Sequence, residues 1–202
     1  MIPSGYNPLA PPPLVIAWHG YGTSNNQPMF FPLPTEANNR GWLLYAPLGV
    51  ADNTFGWLPG QVAVDKTLEW LRANYPFDES RVYGIGLSMG AMCITNYAAR
   101  HQDPANVRFA ALATVCGTFD NVDNYVQSPP TQALMQSLFG GAPFNSPYTF
   151  EYERVHMLRL PTPAFPPYLP VDAETPARSL LHLPFYMTWS ADDNVVPYSP
   201  IQ

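Results

Sequence analysis

Apolar residues in this chain gather in five short blocks separated by polar, glycine-rich or proline-rich stretches. Leu14-Val15-Ile16-Ala17-Trp18, Trp42-Leu43-Leu44-Tyr45-Ala46 and Phe185-Tyr186-Met187-Thr188-Trp189 are three of them. Residues 81–85 and 109–115 are the other two. Continuous apolar runs of this length suit strands buried on both faces. Between them the period changes. Val64, Leu68, Leu71 and Tyr75 recur at helical spacing, with Asp65, Lys66, Glu69 and Arg72 elsewhere around the turn. This predicts a helix over 61–75, ended by Pro76. Ala91, Ile94, Tyr97 and Ala98 predict a second helix over 89–101. The connection after the first block shows no clear helix. Elsewhere strands and helices alternate, which predicts an α/β fold: a mostly parallel sheet with helices on both faces.

The stretch 120–182 breaks that rhythm. Many of the 25 prolines lie between Ser128 and Pro200. Phe144, Tyr148, Phe150, Tyr152, Phe165 and Tyr168 lie among them, which is unlike a disordered tract. The pattern predicts an ordered but irregular cap, with one short helix over 131–138. A chain of 202 residues is expected to form a single domain over 1–202, with its core in 14–119 and 183–202.

Charge narrows the partners. Nine basic residues against 15 acidic ones leave a net charge of −6. No nucleic-acid footprint is expected, since that needs clustered Lys and Arg. No apolar run is long enough to span a bilayer. Residues 1–13 lack the pattern of a signal peptide, and the compartment stays unassigned. No His/Cys spacing implies a metal, and no cofactor is called for.

The chemistry lies at the ends of the blocks. Gly86-Leu87-Ser88-Met89-Gly90 matches G-x-S-x-G after an apolar run and before an apolar helix. That arrangement places a serine on a tight strand-to-helix turn with its hydroxyl exposed. A serine needs a base to take its proton and donors for the developing oxyanion. The backbone N–H groups of Met89 and Tyr21 are the candidate donors. Tyr21 follows His19-Gly20 at the end of the first block, and His19 is read as a brace for that turn. Asp193, in Ser190-Ala191-Asp192-Asp193-Asn194-Val195-Val196-Pro197, is the candidate acid, preferred over Asp192. Trp57, and with less reason Phe55, are candidates to line the cleft. Cys93 and Cys116 are read as two separate thiols, with a disulfide as the alternative.

Together these motifs resemble an α/β-hydrolase. His19-Gly20-Tyr21-Gly22, Asp78-Glu79-Ser80-Arg81-Val82-Tyr83, Gly86-Leu87-Ser88-Met89-Gly90 and Asp193 before Val196-Pro197 carry the likeness. It is nearest to esterases of the polyhydroxybutyrate-depolymerase and feruloyl-esterase kind. The resemblance implies a serine carboxylesterase acting on a small-molecule or polymeric ester. Ser88 would be the nucleophile and Asp193 the acid; Tyr21 and Met89 would form the oxyanion hole. Dipeptidyl-peptidase-like members share much of the pattern, so a peptidase is the alternative. Asp78 and Arg81 are read as a structural turn pair.

The chain departs from that family at the histidine, which should follow the acid. None follows Asp193. His101 lies at the far end of a helix rising about 1.5 Å per residue, about 18 Å from Ser88. His182 precedes the last strand, and His156 lies in the cap. The expectation is a chain truncated at its C-terminus, with the catalytic histidine outside it. A non-catalytic relative and a variant with an unusual base, His156, are the alternatives. Gly84, Gly86 and Gly90 also approach a dinucleotide fingerprint, but that reading leaves the His19-Gly20 and Asp193 turns without a role.

Overall fold

The computed structural model describes residues 1–103, 105–157, 176–190 and 192–193. Five strands form one sheet: β1 (Leu14–Trp18), β2 (Leu43–Tyr45), β3 (Val82–Leu87), β4 (Ala111–Val115) and β5 (Phe185–Thr188). All pairs are parallel, in the order β2-β1-β3-β4-β5. The register aligns the strand ends. Trp18 pairs with Gly86, Leu87 with Val115, and Val115 with Thr188. His19, Ser88, Cys116 and Trp189 therefore begin their loops along one edge.

The helices α1 (Leu33–Asn39), α2 (Leu58–Asn74) and α3 (Met89–Arg100) fill the first three connections. The step from β1 to β2 runs one way along the sheet, and every later step runs the other way. Right-handed crossovers then put α1 on one face and α2 and α3 on the opposite face. The packing agrees. Ala37 of α1 closes a small cluster with Val15, Ala17 and Leu44. Val64 and Leu68 of α2 and Ala91, Ile94 and Tyr97 of α3 join Leu14, Ile16, Trp18 and Val82 in the large one. Helices do lie on both faces, but unevenly. Hence β1 is buried throughout, while β3 alternates between buried and half-buried positions.

Several elements differ from the sequence reading. The third strand does not end at 85; it runs through Gly84 and Gly86 to Leu87. A side chain at Gly84 would meet Leu112, Ile94 and Phe109, and one at Gly86 would overlap Gly90 and Ala91. These glycines let α3 lie close on the sheet. With both inside a strand, they form no phosphate-binding loop, and the dinucleotide reading fails. The first connection holds a 3-10 turn at Gln27–Phe30 and then α1, whose period was masked by Pro32, Pro34 and short polar residues. Helix α2 starts at Leu58 rather than 61, because Pro59 fits the first turn.

The region after β4 is more regular than its composition suggests. Its described part forms α4 (Asn121–Gln127), α5 (Pro129–Phe139) and α6 (Tyr148–Glu153), with a 3-10 turn at Pro176–Leu180. The short helix expected over 131–138 is α5. Met135, Phe139 and Tyr152 carry these helices into the large cluster. Phe165, Tyr168, Val196 and Pro197 lie outside the described residues. No described helix is long and apolar enough to cross a membrane.

Candidate active site

The turn between β3 and α3 is the tightest point at this edge. Ser88 has φ 51° and ψ −117°, a backbone region that non-glycine residues rarely occupy. The turn is held from both sides. The Ser88 N–H donates to the Val115 carbonyl at 2.8 Å, and Ala91 N–H returns to the Ser88 carbonyl at 2.9 Å. A side chain at Gly90 would overlap the Trp18 and His19 carbonyls, so only glycine lets α3 start against the end of β1. Ser88 stands at the N-cap of α3, a position where serine usually caps, yet its side chain makes no capping bond. The hydroxyl is left for other partners.

The loop after β1 lies beside the serine. A methyl group on Gly20 would sit 3.6 Å from the Ser88 Cβ. Gln27 shapes this loop: its Oε1 accepts from Gly20 N–H at 2.7 Å and from the Thr23 hydroxyl. Gly22 N–H donates to Asn53 Oδ1 at 2.7 Å, tying the loop to the one after β2. Tyr21 lies between these anchors, its ring 5.7 Å from that of Phe55. The Met89 N–H opens α3 and has no acceptor within the helix, as for any first-turn donor. Phe55 is buried in the core rather than lining a cleft. Trp57 is half-buried at the N-cap of α2, packed against the large cluster.

Asp193 lies beyond the end of β5, its N–H donating to the Ser190 carbonyl at 3.2 Å. It is half-buried, whereas Asp192 is exposed. Burial, and then the negative charge of Asp193, push the thiol of Cys116, the residue after β4, above its ordinary range. Both cysteines are free thiols, and no disulfide joins them. Cys93 is deeply buried, and burial pushes its thiol up to about 11.

The four histidines are placed elsewhere. His19 is fully buried, with Nδ1 2.9 Å from the Gly20 carbonyl and Nε2 3.4 Å from that of Leu48. It braces the turn, as read from sequence. His101 caps the far end of α3, stacked on Tyr97 at 3.8 Å and paired with Asp65 at 3.0 Å. His182 is exposed at the opposite end of β5. His156 is buried against Asp120, Nε2 to Oδ2 3.3 Å. The neighbouring Val155 carbonyl is held by Asn96, about two turns along α3 from Ser88. Among the described residues, no histidine is hydrogen-bonded to the Ser88 hydroxyl. The Asp120–His156 pair was invisible in sequence, because 35 residues separate its members.

A parallel sheet of this order gathers function at the carboxyl ends where neighbouring connections leave to opposite faces, here β1 and β3. Many α/β proteins share that property, so the serine turn must discriminate among them. The chain matches no family model and no curated protein. Solved structures do resemble it. An acylaminoacyl peptidase of Pyrococcus horikoshii superposes with a TM-score of 0.63 over 98% of this chain and 30% of its own, at 16% identity. A propionate-bound thermophilic esterase of Thermogutta terrifontis gives 0.60 over 98% of this chain and 67% of its own, at 14% identity. Esterase B of Lactobacillus rhamnosis gives 0.55 over 77% of this chain and 53% of its own, at 16% identity.

The chain has the α/β-hydrolase fold. Identity this low carries the fold and nothing finer. The chain also spans only about half the length of esterase B. The turn after β3 and the loop after β1 lie side by side at this edge. Here those two segments carry Ser88 and Tyr21.

Proposed function

We propose that this α/β-hydrolase chain belongs to a serine hydrolase that cleaves carboxylic esters through an acyl-enzyme. The observation that carries this is the Ser88 turn: a strained φ of 51°, an uncapped hydroxyl, and the Gly20–Tyr21 loop packed beside it. Strain of this kind is retained where surrounding structure enforces it, most often at active sites. In the mechanism, Ser88 Oγ attacks the ester carbonyl as a base removes its proton. The N–H groups of Met89 and Tyr21 stabilise the oxyanion. Asp193 orients the imidazole and stabilises its protonated form. The tetrahedral intermediate collapses to the acyl-enzyme as the imidazolium gives its proton to the leaving alcohol. Water then repeats the sequence.

The histidine is proposed to come from outside these 202 residues, because all four present are engaged or distant. Tyr21, Leu48 and Val50 are exposed on the loops after β1 and β2. This apolar rim suits an uncharged acyl or alkyl group, and Trp57 is the candidate to line its inner wall. The engagement of the histidines also favours a second reading, a hydrolase relative that binds esters without cleaving them.

Fluorophosphonate labelling and p-nitrophenyl butyrate hydrolysis by the whole protein, beside Ser88→Ala, separate the two. The esterase reading expects labelling of Ser88 and a fall in turnover of about a thousandfold or more in the variant. Equal turnover and no labelling would leave only the binding reading. Alanine- and proline-terminated amides assayed beside the ester test for a peptidase.

A further inference from the structure

The loop after β1 is pinned on both sides of Tyr21 by side chains that no step above uses. Gly20 N–H donates to Gln27 Oε1 at 2.7 Å, and Gly22 N–H donates to Asn53 Oδ1 at 2.7 Å. Among the described residues, nothing accepts the Tyr21 N–H between them. Only the oxygen of an amide side chain can accept an N–H, so both side chains are fixed with their oxygens toward the loop. Three successive backbone donors are thus sorted: the outer two are taken and the middle one is open.

Both anchors are themselves held. Gln27 opens the 3-10 turn, and its N–H donates to the Ser24 carbonyl at 2.9 Å. The Thr23 hydroxyl lies 2.7 Å from the Gly20 carbonyl and 3.1 Å from Gln27 Oε1. A methyl group on Gly20 would sit 3.4 Å from Gln27 Oε1 and 3.6 Å from the Ser88 Cβ, so one point of the loop meets both the glutamine and the serine. Asn53 leads into a buried segment. The Phe55 carbonyl accepts from Asn121 Nδ2 at 2.9 Å and the Gly56 carbonyl from Gln61 Nε2 at 2.6 Å, while Gly56 N–H donates to Cys93 Sγ at 3.2 Å. These bonds tie the segment to α2, α3 and α4, and the Tyr21 ring rests on its Phe55.

We infer that Gln27 and Asn53 are positioning residues, whose side-chain oxygens take up the Gly20 and Gly22 N–H groups and leave the Tyr21 N–H as the open donor of the loop. This rests on Tyr21 as an oxyanion donor of the proposed hydrolase. Such a donor must stand about 2.7–3.1 Å from the developing oxyanion, and a displacement of about 1 Å costs about a hundredfold in rate. A loop anchored at one end only can turn its middle peptide away.

The first test needs no catalysis. Amide exchange of the whole protein, resolved by NMR, should show the Gly20 and Gly22 N–H groups protected about tenfold or more beyond that of Tyr21. Equal protection at all three would overturn the inference. Ester turnover is then compared among variants, with the urea midpoint of each as the check on folding. Gln27→Met, which keeps the length without the acceptor, and Asn53→Ala should each lower kcat about tenfold with KM little changed. The double variant should approach the loss of a whole oxyanion donor, about a hundredfold or more. Asn53→Asp, which keeps an acceptor at the same atom, should recover the loss seen in Asn53→Ala. Lower urea midpoints with kcat unchanged would mean that the two side chains serve stability alone, and would overturn the positioning role. Should Ser88→Ala show that no serine-dependent turnover exists, the hydrolase reading fails by itself, and amide exchange still decides whether Gln27 and Asn53 sort the donors of the loop.

Discussion

Ser88 shows how one residue can oppose local stability for the sake of geometry. Its φ of 51° is imposed by hydrogen bonds on both sides and by the approach of α3 to β1 at Gly90. A glycine tolerates this region where alanine and serine do not. Relief of the strain exceeds the added freedom of glycine in the unfolded chain. Ser88→Gly should therefore be more stable than Ser88→Ala by about 1 kcal/mol, read as a higher urea midpoint. Equal midpoints would mean that the turn is unstrained. Gly86, Ser88 and Gly90 were legible in the sequence because their spacing encodes the turn. The positive φ of Cys116 was not, since the bond from its N–H to the Thr188 carbonyl joins strands far apart in sequence.

At the level of elements, the strongly periodic helices were readable and the short capped ones were not. Helices α2 and α3 present apolar stripes over three turns or more. Helix α4 has seven residues and depends on its cap. Asp120 accepts from the Val122 and Asp123 N–H groups at 2.8 and 2.9 Å and also faces His156. Asp120→Ala removes a cap and leaves a buried imidazole without its carboxylate. It should destabilise by about 1–2 kcal/mol through the cap alone. Asp120→Asn, which can still cap, should recover most of that in urea denaturation. No recovery would show that the contact with His156 dominates. Helices α1 and α6 were hidden for a similar reason: with 7 and 6 residues they are too short to show a period, and tertiary packing rather than propensity holds them.

For the whole molecule, the order β2-β1-β3-β4-β5 leaves β5 at the margin of the described sheet. It carries Phe185, Tyr186 and, just beyond it, Trp189, all exposed. Exposed apolar edge strands template pairing with other chains. The 202-residue chain should self-associate with rising concentration, and Tyr186→Lys should suppress this, as measured by sedimentation velocity. A chain that stays monomeric in both forms would show that the edge is covered. The uneven placement of the helices belongs to this scale too. It follows from one leftward step and three rightward ones, each crossing with the same hand.

The sequence by itself determined where strands and helices would alternate, which turn would carry the serine, and that glycine would be needed around it. Those are local properties, set by apolar period, chain stiffness and the absence of a Cβ. The tertiary structure decided strand order, which loops meet at the carboxyl edge, and what each histidine faces. It joined Cys116 to Thr188, Asp120 to His156 and Gly22 to Asn53. Such contacts arise only when parallel strands in register bring distant loops to one edge.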